Sequence, residues 1–316
     1  MSSISVPSRP KLDCCAERPR KNRERRSMLT SQAIILGVIQ GVTEFMPVSS
    51  TAHLTLAGKL MGLVRLDDAE GRTNDWTAFM AVIQIGTLLA ALIYFFPDLI
   101  HIADGLGRTI LAVFTKHDVG ADQTQWAWFG WLLIAGSLPI GIAGLIFRKR
   151  VEGKLTKSLR LILLSMMAVT VLMAIAEAGG SKSRVVADLG FPESITVGIF
   201  QILALLPGAS RSGATIAAGL MVGLNRQAAA RFSFLLMIPA VGASGLLKLP
   251  VALRSMNAGR IQILAAVFGA GVSGYLAIGF MLGYLETHTL FPFVVYRCAL
   301  GILVWCFLLS GRQSTS

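Results

Sequence analysis

Charge is scarce in this chain, and acid is scarcer than base. Only 15% of the 316 residues are Asp, Glu, Lys or Arg, against roughly a quarter in a soluble domain. Together with 54% hydrophobic residues and a mean hydropathy of +0.65, this deficit excludes an ordinary soluble fold and implies a polytopic membrane protein. Histidine and cysteine number four each, with no zinc-ligand spacing among them. Cys14 and Cys15 sit in a polar tail with no apolar stretch before them, which excludes a lipoprotein attachment site. Cys298 and Cys306 fall in the last apolar segment and read as small buried hydrophobes. The net charge of +12 would point to nucleic acid in a soluble protein. Here the basic residues lie in loops and in the amino-terminal tail, so membrane topology accounts for them and no nucleic-acid partner is expected.

Residues 1–27 carry eight basic residues against three acidic ones and almost nothing apolar. They read as a disordered, basic cytoplasmic tail. Met28 directly precedes the first apolar run and reads as a candidate alternative start of translation. Residues 28–316 read as a single polytopic membrane domain. Six apolar stretches approach the ~20 residues needed to cross a bilayer: 76–97, 127–147, 159–178, 232–251, 262–285 and 290–310. The segments between them read as loops, including the acidic 98–125, and the Trp residues near span ends read as an interface belt.

Two further stretches are broken in the middle. GVIQGVTEFMPVSSTAHLTLAGKLMGL (37–63) and GIFQILALLPGASRSGATIAAGLMVGL (198–224) each run apolar, then Pro and hydroxyls, then apolar again. Each half is too short to span alone, so the regions 31–61 and 194–224 read as re-entrant helical hairpins. The chain is then two repeats, about 31–178 and 194–310, each one hairpin followed by three spans. An odd number of spans starts the second repeat from the opposite face, so the repeats are inverted and the site falls at the midplane between them. With a cytoplasmic amino terminus, the basic loop 148–160 lies inside and the acidic segment 98–125 outside, as the positive-inside rule requires.

Irregular polar backbone at membrane depth survives only where protein or water covers it, so both breaks are expected to converge. Arg211 offers a planar fork of donors matched to phosphate oxygens. Ser210, Ser212 and Thr215 surround it, and a half-helix beginning near Ser212 turns its positive end to the same point. The first break supplies Ser49, Ser50 and Thr51 as hydroxyls and His53 as base or nucleophile. Glu44 and Gln40 share a helix face four residues apart, a pair suited to a divalent cation, Mg²⁺ or Ca²⁺. For Ser49, Thr51 and Ser212 the plain alternative is a helix–helix hydrogen bond, which is also the reading for Gln201. Glu44 has a second reading as counter-ion to Arg211.

QGVTEFMPVSSTAH (40–53) and PGASRSGAT (207–215) resemble the two signature motifs of the undecaprenyl-diphosphate phosphatase family, the bacitracin-resistance type. The resemblance runs from about Met28 to Leu309. It implies an all-helical integral membrane enzyme of the bacterial cytoplasmic membrane, with its site opening to the periplasmic face. The implied reaction hydrolyses undecaprenyl diphosphate to the monophosphate and inorganic phosphate, with a divalent metal, and recycles the lipid carrier for peptidoglycan synthesis. Carried over by residue, Glu44 matches the essential acid, Ser50 and His53 the catalytic serine and histidine, and Ser210 and Arg211 the phosphate-binding pair. Position 40 is Glu in many members and Gln here, which removes one negative charge from the expected metal site. The alternative is a polyprenyl-phosphate transporter or flippase, since inverted repeats with broken helices are a transporter architecture. Such a protein needs an anion site but no nucleophile. Which of Ser50 and His53 attacks, and whether the chain forms a homo-oligomer, stay open.

Overall fold

The computed structural model describes residues 28–63, 71–115, 120–151, 159–255 and 259–313. The basic tail 1–27 and most of the loop 148–160 lie outside the described residues, so neither reading is addressed. Among the described residues the chain is helical throughout, in the order α1 (Thr30–Phe45), α2 (Ser50–Leu60), α3 (Gly71–Tyr94), α4 (Phe96–Thr115), α5 (Ala121–Val151), α6 (Leu159–Ala178), α7 (Phe191–Gln201), α8 (Arg211–Met221), α9 (Arg226–Ser255), α10 (Arg260–Thr287) and α11 (Phe291–Gln313). Four helices contain stretches long and apolar enough to cross a membrane: Trp76–Tyr94, Ala121–Phe147, Arg160–Ala178 and Arg260–Thr287. The other two expected spans fall in α9 and α11. Large apolar side chains such as Leu145, Leu164, Ile261, Phe268 and Val295 point outward, the pattern of a protein whose solvent is hydrocarbon.

Both broken stretches form helical hairpins, and Pro breaks each. Pro forces the preceding residue out of the helical region. Met46 is accordingly extended ahead of Pro47, and Leu206 ahead of Pro207, after a short 3₁₀ turn over Ile202–Leu205. The next helix of each hairpin starts from a left-handed serine. Ser49 (φ 75°) accepts a hydrogen bond from the Ala52 amide, and Ser210 (φ 69°) accepts one from the Gly213 amide. Non-glycine residues rarely occupy this region, so the same device used twice is a strong likeness between the two hairpins.

The packing around the hairpins is also matched. α1 lies against α10 and α7 against α5. A Cβ on Gly37 of α1 would come within 2.1 Å of the Ala266 carbonyl oxygen, and one on Gly198 of α7 within 2.2 Å of the Gly136 carbonyl oxygen. Glycine at these points lets backbones touch, the usual way helices associate in lipid. The core is centred on α8, where every residue from Ser212 to Leu220 is buried. Phe45, at the end of α1, meets Phe234 of α9 edge-on at 5.3 Å and fixes the tip of the first hairpin.

Three expectations are corrected. The segment 98–125 is mostly helix, because Ile102, Leu106 and Gly105 of α4 pack against the start of α5, while Asp98 pairs with Arg231 of α9 at 2.6 Å and Asp104 pairs with Arg108 at the surface. Cys298 and Cys306 are exposed rather than buried; an apolar side chain on a lipid-facing helix needs no core. Trp76 is buried against Phe79, whereas Trp128 and Trp131 are exposed near the start of α5.

Candidate active site

The two hairpin tips meet. Ser212 of α8 donates to the Met46 carbonyl at 3.2 Å, so the second break is tied directly to the first. Between the tips lies a cavity of about 50 Å³, lined by Thr43, Glu44, Ser49, Ser50 and Thr51 from one hairpin, Ser210 and Arg211 from the other, and Gln84 of α3. The first residues of α2 and α8, Ser50 and Arg211, both border it, so two helix amino termini deliver positive potential to one small space.

Glu44 organises the cavity. Its side chain is only 5% exposed. Oε2 accepts from the Ser50 hydroxyl at 2.7 Å and from the Gln40 carboxamide at 3.0 Å. Oε1 faces Nη1 of Arg211 at 3.6 Å, an ion pair without a hydrogen bond. Nε and Nη1 of Arg211 are buried with no acceptor. A guanidinium at the edge of a cavity whose N–H groups the protein leaves unpaired can bind an oxyanion. Gln40 itself is 1% exposed and supports Glu44 from behind.

Not every expected residue faces the cavity. His53 is absent from the lining. Its Nδ1 lies 2.8 Å from the Ser49 carbonyl oxygen and its Nε2 2.7 Å from the Tyr296 hydroxyl. The carbonyl can only accept, so Nδ1 carries the proton and Nε2 accepts from Tyr296. Thr215 turns into the core, where it donates to the Arg211 carbonyl at 2.8 Å and pairs with the Ser233 hydroxyl. Ser212 is spent on the tie to Met46. Gln201 makes the helix–helix bond expected of it, donating to the Leu236 carbonyl at 3.3 Å.

Two participants escaped the sequence reading. Gln84 borders the cavity from α3. Arg297 of α11 is 0% exposed and reaches the Pro47 carbonyl of one tip and the Ala209 carbonyl of the other, each at 3.2 Å. A lone Arg within an apolar run is the signal that could have found the second, since charge at membrane depth is costly and usually functional.

A family profile described as bacitracin resistance protein BacA matches residues 33–303. The chain belongs to that family. An undecaprenyl-diphosphatase of Syntrophobacter fumaroxidans is 47% identical over 87% of this chain and 96% of its own length. Proteins of the same name from Chloroherpeton thalassium and Acidothermus cellulolyticus are each 40% identical, over 89% and 88% of this chain and 97% and 96% of their own lengths. The stretch matched by the BacA profile contains the second hairpin, all of the first but its opening residues, the whole cavity lining and Arg297.

Proposed function

We propose that the protein hydrolyses undecaprenyl diphosphate to undecaprenyl phosphate and inorganic phosphate within the bacterial cytoplasmic membrane, returning the lipid carrier to peptidoglycan synthesis and so conferring bacitracin resistance. The observation that carries this is the pairing of a hydroxyl on a buried carboxylate, Ser50 on Glu44 at 2.7 Å, with an unsatisfied guanidinium across the same cavity. A lipid transporter needs the second and has no use for the first.

In this reading α3, α5, α6, α9, α10 and α11 span the bilayer. α1–α2 and α7–α8 are re-entrant hairpins of two inverted repeats, and α4 is an addition at the outer surface. The cavity opens to the periplasmic side. Arg211 binds the terminal phosphoryl group through Nε and Nη1, and the amide ends of α2 and α8 add to the field there. Ser50 Oγ attacks the terminal phosphorus and passes its proton to Glu44. The bond from phosphorus to the bridging oxygen breaks, and the lipid monophosphate leaves with the electron pair and takes the proton from Glu44, which is a carboxylate again. Water then attacks the phosphoserine, Glu44 takes a proton from that water and returns it to Oγ, and Oγ leaves as the restored Ser50 hydroxyl. His53 braces this turn, because its Nδ1–H holds the Ser49 carbonyl next to the nucleophile.

A divalent cation fits the donor chemistry only in part by itself. Among the described residues no group of three His, Cys, Asp or Glu side chains gathers, and Glu44 is the one carboxylate of the cavity lining. Mg²⁺ is commonly held by one or two carboxylates plus substrate phosphates. Glu44 would hold it together with the diphosphate, and it would supply charge neutralisation; Gln40, expected as a second ligand, lies outside the cavity lining and gives its amide N–H to Glu44 instead.

The test is phosphate release from undecaprenyl diphosphate by the purified protein, with and without chelator, beside Ser50→Ala. Release by the wild type, its loss in the variant, and a phosphoserine at residue 50 trapped by rapid acid quench are expected. A folded wild-type protein that binds the lipid and releases no phosphate would defeat the reading.

A further inference from the structure

Arg297 has no acidic partner among the described residues, although it is fully buried. All four of its hydrogen bonds go to neutral oxygens. Nε donates to the Thr170 hydroxyl at 2.8 Å, Nη2 to the carbonyls of Met166 at 2.7 Å and Ala209 at 3.2 Å, and Nη1 to the carbonyl of Pro47 at 3.2 Å. Two of these acceptors belong to α6. The other two belong to the separate breaks, where the chain has left the helix and its carbonyls have lost their regular partners. Pro47 lies two residues before the left-handed cap Ser49, and Ala209 one residue before the left-handed cap Ser210. Those caps launch the two helices whose first residues are Ser50 and Arg211.

A guanidinium is a rigid plane with donors in fixed directions. One plane that bonds both tips fixes the separation between them, and so the distance from nucleophile to phosphate-binding cation. A lysine ammonium is a single point and cannot hold both tips and α6 at once. An amide has two donors and no charge. The adjacent Tyr296 acts on the same hairpin from the same helix, by its bond to His53.

We propose that Arg297 is a positioning residue that joins the tips of the two hairpins into one catalytic unit, with its charge retained in the membrane for the sake of that geometry. This inference rests on the phosphatase reading for its kinetic consequence but not for its structural one. Reacting groups displaced by about 1 Å lose on the order of a hundredfold in rate.

The experiment takes the full-length protein in detergent and three variants. Arg297→Lys keeps the charge, Arg297→Gln keeps donors without charge, and Thr170→Val removes one α6 bond while sparing both tips. The first two are expected to lower kcat about a hundredfold with KM changed less than threefold. Thr170→Val is expected to stay within threefold of wild type in both. Hydrogen exchange read by mass spectrometry supplies a second measure independent of turnover. In Arg297→Lys, peptides covering residues 46–53 and 207–215 should lose protection together while α3, α5 and α10 keep theirs.

If Arg297→Lys retains kcat within threefold, the planar fork is not needed and the proposal fails. It fails equally if protection is lost throughout the molecule, which marks a merely structural residue, or at one tip alone. Should Arg297→Gln not fold, Arg297→Lys and Thr170→Val still decide. A wild-type protein without phosphatase activity would defeat the proposed function, and the exchange data would still judge the clamp.

Discussion

Replacing Arg211 tests the cavity most directly, and its size follows from the geometry. Nε and Nη1 are buried and unpaired, so two charge-assisted hydrogen bonds to the phosphoryl oxygens vanish in Arg211→Ala. At about 1.5–3 kcal/mol each the loss is about 3–6 kcal/mol, which lowers kcat/KM by about 10²–10⁴ at ~1.4 kcal/mol per decade. Arg211→Lys keeps the charge and one donor, so roughly half the loss remains, about 10–10²-fold. Arg211→Ala also leaves Glu44 without its cation. Breaking a buried ion pair typically costs about 3–5 kcal/mol. The pair here is 3.6 Å apart without a hydrogen bond, and Glu44 keeps its bonds from Gln40 and Ser50, so the stability loss falls below that range. Phosphate release from undecaprenyl diphosphate, measured beside thermal unfolding in the same detergent, separates the two effects. A folded Arg211→Ala protein within fivefold of wild-type kcat/KM would refute the assignment of this guanidinium to the phosphate.

Glu44→Gln preserves shape but removes the proton acceptor for Ser50, so kcat should fall about 10²–10⁴-fold with little change in KM. The same variant should need more divalent metal for half-maximal activity, and a superimposable metal titration would take Glu44 away from the ion. Gly37→Ala places a methyl group 2.1 Å from the Ala266 carbonyl oxygen and should cost about 1–3 kcal/mol, seen as a lower unfolding temperature; an unchanged transition would show that α1 and α10 separate without cost.

The parts of the site legible in the sequence are those whose partners are close along the chain. Glu44 and Gln40 are four residues apart and one helix face suffices to pair them. The breaks are marked by Pro, so the hairpins and their meeting could be foreseen from the requirement that buried backbone be covered. What could not be read is which way a side chain turns once every side of a helix is buried. α8 is enclosed over Ser212–Leu220, so no periodicity separates Arg211, which faces the cavity, from Thr215, which turns to Ser233. His53 depends on Tyr296, 243 residues away. Arg297 depends on carbonyls 250 and 88 residues away, and backbone acceptors leave no trace in residue type. α4 was hidden because its acids dominated the reading of 98–125, although its apolar residues recur at helical spacing.

The two hairpins share a fold but not a chemistry, and the difference sits at one position. Each second helix begins immediately after a left-handed serine, with Ser50 in one hairpin and Arg211 in the other. A cation in the first turn of a helix opposes the macrodipole and is unfavourable by about 0.3–1 kcal/mol, more where solvent is excluded. Arg211 therefore stands where local preference is against it, and neither of its two buried free N–H groups is satisfied by the protein. The resting compensation is Glu44, which is held by two other donors and approaches Arg211 only to 3.6 Å. A locally disfavoured cation with an incomplete counter-ion is stable enough to fold and is improved by a ligand that brings more negative charge and better-directed oxygens. Ser50, at the equivalent point, suffers no such conflict, since a hydroxyl is neutral to the dipole and any negative charge that develops on its oxygen during attack is favoured there. The two hairpins thus supply two positive helix ends. In the proposed mechanism the one that carries a cation binds the diphosphate, and the other stabilises the attacking oxygen.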